Sequence, residues 1–176
     1  FDNLELREIT DEEIKRFDRI YMGVDWGFYP DAFAFIRMHY DRMRNVIYLI
    51  DEHYIHKQSN ESTAKWIKDK GYTDAYIICD SAEPKSVADY RALGLPAKSA
   101  VKGPGSLDYS MKFLQRQKIV IDRKRTPHAY DEFVRYEYER SKDGEIISGY
   151  PDKDDHVISA VRYALEPAYR RMGVIA

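Results

Sequence analysis

Early in this chain, three strand-like runs are joined by two links of only five residues, an arrangement that constrains the fold more than any other feature. The runs cover residues 20–25, 32–40 and 46–54; the links are Gly27-Phe28-Tyr29-Pro30-Asp31 and Asp41-Arg42-Met43-Arg44-Asn45. In the first run Ile20, Met22 and Val24 alternate with Tyr21, Gly23 and Asp25, the period of a strand. A parallel crossover needs about a dozen residues, so links this short make consecutive runs antiparallel neighbours. The chain therefore predicts a three-stranded meander.

After residue 60 the period changes. Helical patterning over 61–70 stops at Gly71, a residue suited to the left-handed position after a helix. An apolar run at 75–80 predicts a buried strand. A helix over 84–93 follows, with Pro84 in its first turn and Gly94 beyond its end. Short strands at 98–101 and 119–122 and helices at 107–115 and 128–137 continue the alternation, which implies parallel pairing with right-handed crossovers. Around Ser141-Lys142-Asp143-Gly144, an Asp-Gly turn signal between alternating residues predicts an extra β-hairpin over 136–149. The final helix, 155–168, carries Val157, Val161, Ala164 and Leu165 as its apolar stripe.

The sum is an α/β fold of the ribonuclease H-like type: a mixed sheet of three antiparallel strands followed by parallel βα units, flanked by helices. Residues 1–19 are polar, with a capping box at Thr10-Asp11-Glu12-Glu13 opening a short helix to about Phe17. They read as a connector from a preceding part of a longer chain, leaving 20–176 as the domain.

At 176 residues the chain is long enough for one domain, and 44% hydrophobic content with 33% charged residues excludes a disordered chain. Apolar runs are too short to span a bilayer, and no basic-then-apolar leader opens the sequence, so a cytoplasmic protein without membrane contact is expected. Cys79 is the single cysteine, which rules out an internal disulfide and a cysteine zinc cluster. The overall charge of −2 hides an asymmetry. Lys98 to Arg125 holds eight basic residues against Asp108 and Asp122, a local +6 that leaves −8 elsewhere. Such a face steers a phosphate backbone, although ordinary charge scatter produces the same count.

Chemistry concentrates in three places. Asp25 closes the first run in Gly23-Val24-Asp25-Trp26-Gly27, where flanking glycines leave room for a ligand. Asp80 closes the fourth run in Ile78-Cys79-Asp80-Ser81. If those two runs are sheet neighbours, their tips bring two carboxylates close together, and like charges at such range call for a cation. Oxygen ligands of this kind suit Mg²⁺ or Mn²⁺. Lys153-Asp154-Asp155-His156 opens the last helix, where its first turn can face the strand tips. Asp154 and Asp155 serve equally well as helix caps, and His156 alone reads as a surface histidine. Lys102, in the Lys-Gly-Pro-Gly-Ser loop, is either a phosphate contact or a solvated lysine. His39, His53, His56 and His128 have no ligand spacing.

Gly-Val-Asp-Trp-Gly, Ile-Cys-Asp-Ser-Ala-Glu-Pro-Lys-Ser, Val-Lys-Gly-Pro-Gly-Ser and Asp-Asp-His-Val-Ile-Ser-Ala-Val-Arg-Tyr-Ala-Leu, in that order, resemble the nuclease domain of phage terminase large subunits of the SPP1-like type, over about residues 20–169. The resemblance implies catalytic metal ligands at Asp25, Asp80 and His156, with two ions of Mg²⁺ or Mn²⁺ hydrolysing phosphodiesters of concatemeric viral double-stranded DNA during genome packaging. It further implies a preceding ATPase domain, a small terminase subunit and a portal protein as partners. One departure stands out: many relatives carry Asp where this chain has Ser159. A hydroxyl is a poor ligand for a hard cation, so the second metal site is either weaker or completed by Asp155. The hairpin is expected to overhang the cleft and control DNA access. No base-reading motif is present, so low sequence specificity is expected. A resolvase- or transposase-like nuclease of the same fold, and a non-catalytic DNA-binding or motor-docking module, remain as alternatives.

Overall fold

The computed structural model describes residues 1–27, 30–143 and 154–171, and at 137–143 and 171 the backbone course alone. The elements follow in the order β1 (Leu4–Leu6), α1 (Asp11–Lys15), β2 (Ile20–Asp25), β3 (Phe33–Asp41), β4 (Val46–Ile55), α2 (Asn60–Asp69), β5 (Ile77–Cys79), α3 (Pro84–Ala92), β6 (Ala97–Ser99), α4 (Ser106–Gln115), β7 (Lys118–Ile121), α5 (Pro127–Asp143) and α6 (His156–Arg171). The sheet runs β1-β7-β4-β3-β2-β5-β6. β2, β3 and β4 form the expected antiparallel meander, while β5, β6, β7 and β1 add parallel strands at its two sides. This is the mixed, ribonuclease H-like sheet that the short links and the later βα alternation require.

Both faces of the sheet are covered, and the strand period sorts residues between them. Met22, Val24, Phe35, Ile77 and Cys79 pack toward α2 and α3. Ile36, Met38, Leu49 and Ile121 pack with Phe113, Phe133, Val161 and Leu165 of the α4–α5–α6 layer. Gly23 and Asp25 alternate with Met22 and Val24, so they face α6. A Cβ at Gly23 would lie 2.0 Å from the Ala160 carbonyl oxygen and 2.9 Å from the Ala164 Cβ. The glycine is what lets α6 lie directly on β2.

Two findings depart from the sequence expectations. Nothing in the sequence pattern predicts a strand before residue 20, yet Leu4–Leu6 pairs parallel with β7, and Phe1 and Ile9 are buried beside it. The polar alternation of Asn3-Leu4-Glu5-Leu6-Arg7 conceals this edge strand, which is only three residues long and puts Leu4 against the core while Leu6 stays exposed. The predicted hairpin is the second. Residues 136–143 continue α5 instead of turning, and 144–149 lie outside the described residues. The physical reason is that Ala129, Phe133 and Tyr136 are buried at helical spacing, and Glu137, Glu139, Arg140 and Lys142 are all good helix formers. Tyr-Glu-Tyr-Glu satisfies a period of two and a period of 3.6 alike over so short a stretch.

Candidate metal centre

The candidate site forms where the tips of β2 and β5 meet the start of α6. β2 and β5 are parallel neighbours with Val24 registered against Cys79, so Asp25 and Asp80 follow one residue beyond a paired position. The Asp80 N–H donates to the Val24 carbonyl at 3.0 Å, and the Trp26 indole N–H donates to the Asp80 carbonyl at 3.0 Å. These bonds tie the two tips together. Ile78, two residues before Asp80, packs with Tyr163 of α6, which places Asp80 on the same face as Asp25. Two residues along a strand advance about 6.6 Å, close to the rise of one helical turn. Gly23 meets Ala160, so Asp25 falls opposite His156 one turn earlier.

That match is visible in the side chains. His156 Nδ1 lies 3.3 Å from Asp25 Oδ2, and its Nε2 lies 3.7 Å from Asp31 Oδ1. The other Asp25 oxygen accepts the Gly27 N–H at 3.2 Å. Asp80 Oδ1 accepts the Ala82 N–H at 3.1 Å and is paired with Lys102 Nζ at 2.5 Å. Each carboxylate is thus held by a backbone N–H and faced by a cationic side chain. His156 and Asp25 are largely shielded from solvent, as is Asp80.

The electrostatics follow from these pairs. Its hydrogen bond and Coulombic attraction to Asp25 hold His156 up at about 9, against burial, which pulls the other way. Lys102 is also raised: burial lowers it, and Asp80 together with Tyr163 more than offsets that. Burial raises the Tyr163 hydroxyl, and the charges of Asp80 and Asp25 add to the effect. Lys102 Nζ stands 4.9 Å from the centre of the Tyr163 ring.

Trp26, Asp31, Glu132 and Tyr163 belong to this corner, and none of them has a role assigned from the sequence. Glu132 of α5 is buried and accepts the Val157 N–H at 2.9 Å and the Ile158 N–H at 3.1 Å. It caps α6 from a neighbouring helix, and burial raises its carboxyl to about 8. Its pairing is purely tertiary, twenty-five residues from Val157 in sequence. Trp26 does carry a signal, since a buried indole N–H demands an acceptor. His128 serves structure: it pairs with Glu52 at 2.6 Å and stacks on Tyr54. Cys79 is a buried core thiol whose burial pushes its pKa far up.

Ser159, where a carboxylate was a possible ligand, is buried and accepts from Arg162 at 3.4 Å. Asp155 precedes α6, its carbonyl accepts the Ser159 N–H at 2.8 Å, and its side chain borders a cavity of about 400 Å³ that also meets Lys102. Among the described residues no group of three or more His, Cys, Asp or Glu side chains is arranged to hold a metal ion. Asp25 and Asp80 are turned instead toward His156 and Lys102. The donor chemistry still suits a divalent ion: two carboxylates and an imidazole arrive from three elements at one corner.

A mixed seven-stranded sheet with an acidic corner at the adjoining tips of β2 and β5 defines the class of protein: a ribonuclease H-like α/β domain. More narrowly, residues 25–167 match the family model described as the terminase RNase H-like domain, and the chain belongs to that family. It is 42% identical over 182 residues, 99% of its length, to the large terminase subunit of Bacillus phage SPP1, and 32% identical over 145 residues, 82% of its length, to the PBSX phage terminase large subunit of Bacillus subtilis. It spans 42% and 33% of those two proteins, less than half of either. In structure it is similar to the nuclease domain of the SPP1 large terminase with bound Mn, at a TM-score of 0.86 and 42% identity over 96% of this chain and 98% of that one. The P22 large terminase nuclease domain shares the fold at a TM-score of 0.64 with 13% identity, covering 86% of this chain and 83% of its own.

Proposed function

We propose that this domain is the endonuclease of a phage large terminase and cuts concatemeric double-stranded viral DNA during genome packaging, in the host cytoplasm. The observation that carries the reading is the meeting of Asp25 and His156 at 3.3 Å beside Asp80 on the adjoining strand tip. The Mn bound in the SPP1 nuclease domain supports the use of a divalent ion by this domain. Asp25 would be shared by two ions of Mn²⁺ or Mg²⁺, Asp80 would hold one, and His156 the other, with Asp155 available to complete the second. When bound, such ions lower the pKa of an attacking water and stabilise the leaving 3′-oxygen.

The chain's own residues prepare that chemistry. The Gly27 and Ala82 N–H groups fix one oxygen of each carboxylate. Glu132 fixes the first turn of α6 and hence the position of His156. Lys102 balances Asp80 and, once released, faces a backbone phosphate. Contacts of this kind read no base edges, in keeping with low sequence specificity. An ATPase domain in the same protein, a small subunit and a portal are the partners that the resemblance to large terminases implies.

The test is direct. Plasmid DNA incubated with the domain and Mn²⁺ is expected to be cut, and excess chelator to stop it. Asp25→Asn is expected to remain folded by circular dichroism while losing roughly a thousandfold or more in rate, the several kcal/mol that metal-assisted hydrolysis supplies. DNA that is bound but never cut under any divalent ion would leave a docking module in place of a nuclease.

A further inference from the structure

Arg162 lies one turn beyond Ile158 on α6, and none of the chemistry above uses it. Its Nε donates to Ser110 Oγ at 2.7 Å and Nη1 to Ser159 Oγ at 3.4 Å. Two of its N–H donors are spent on neutral hydroxyls, and the ion pairs among the described residues do not include it. Yet it is only partly exposed. Arg162 and Lys102 both lie over the ring of Tyr163, at 5.5 and 4.9 Å from its centre, and all three line the cavity of about 400 Å³, which meets the carboxylate corner through the Lys102–Asp80 pair. Ser106 and Ser159 add hydroxyls to that wall, and Leu107 adds an apolar side chain that is 46% exposed. Asp155, the acidic member of the lining, immediately precedes His156.

We infer that this cavity is a subsite for the DNA strand, in which Arg162, with Lys102, holds the phosphate next to the one that is cut. Two cations sharing one ring, with hydroxyls around them, make a site for a phosphodiester anion, and Arg offers a fork of donors matched to phosphate oxygens. Leu107 offers an apolar surface to the sugar that follows. Because Lys102 also touches Asp80, the cavity and the carboxylate corner form one continuous track. A strand seated by Arg162 is delivered to Asp25 and Asp80. This inference rests on the nuclease reading, and its test separates the two.

Duplex DNA binding is measured by fluorescence anisotropy over a salt series in chelator, and Mn²⁺ binding by calorimetry, for the wild type, Arg162→Gln, Arg162→Lys and Leu107→Glu. Arg162→Gln is expected to weaken DNA binding by about three- to tenfold at low salt and to reduce the slope of log affinity against log salt by about one. Arg162→Lys should restore the slope, and Leu107→Glu, which places a negative charge at the cavity mouth, should weaken binding similarly. Mn²⁺ affinity should stay at the wild-type value in all three. Wild-type affinity and slope in both Arg162→Gln and Leu107→Glu overturn the inference; if Arg162→Gln does not fold, the exposed Leu107→Glu decides alone. A wild type that binds DNA through Arg162 but never cuts keeps the subsite and sinks the nuclease reading. A wild type that cuts with no dependence on Arg162 does the reverse.

Discussion

His156 and Glu132 sit at the head of α6 and respond to pH in the same direction. Asp25 raises His156 from 6.5 to about 9, and burial raises Glu132 from 4.5 to about 8. A folded-state pKa above the unfolded one means the folded protein holds the proton more tightly, so stability is greatest below the unfolded pKa and falls as pH rises through the folded one. The metal-free domain is therefore expected to lose stability through Glu132 between pH 4.5 and 8 and through His156 between pH 6.5 and 9, seen as a falling Tm in calorimetry. His156→Gln should flatten the upper part of that decline. The same proton must leave before the imidazole can bind a metal, so Mn²⁺ affinity is expected to rise with pH over that window, with proton release measurable by calorimetry in buffers of different ionisation heat. A metal affinity independent of pH would remove His156 from the ligand set.

Among the elements, α6 and β2 set the site through a single close approach. With the Ala160 carbonyl 2.0 Å from where a Cβ would stand, Gly23→Ala must push the helix off the strand. Overpacking of this kind costs about 1–3 kcal/mol or more. Urea unfolding is expected to show that loss, and cutting should fall with it, because the shift carries His156 away from Asp25. The capping pattern explains why α6 starts where it does. Its free N–H groups are met by Glu132 from α5, a buried acceptor on another helix. α5 shows the converse. Its second half was patterned well enough for a strand, and continuation from the buried Phe133 and Tyr136 decided for helix.

At the scale of the molecule, the opening residues belong to the sheet. Phe1 packs on Phe133 and Tyr136, the Ile9 N–H donates to Asp122 at 2.9 Å, and Leu4–Leu6 covers the edge of β7. Removing residues 1–9 is expected to cost a few kcal/mol, on the scale of emptying one or two large core positions, and a lowered midpoint in denaturant would register it. No helix among the described residues is long and apolar enough to cross a membrane. The sequence by itself determined the meander, the βα alternation and the strand-tip positions of Asp25 and Asp80, because links of five residues and a change of period leave few topologies open. It also placed His156 at a helix start. It did not determine β1, the length of α5, the Glu132 cap, or the turning of each carboxylate toward His156 or Lys102. Those depend on which surfaces a neighbour covers and which distant donor reaches which acceptor, and only the packed chain supplies such partners.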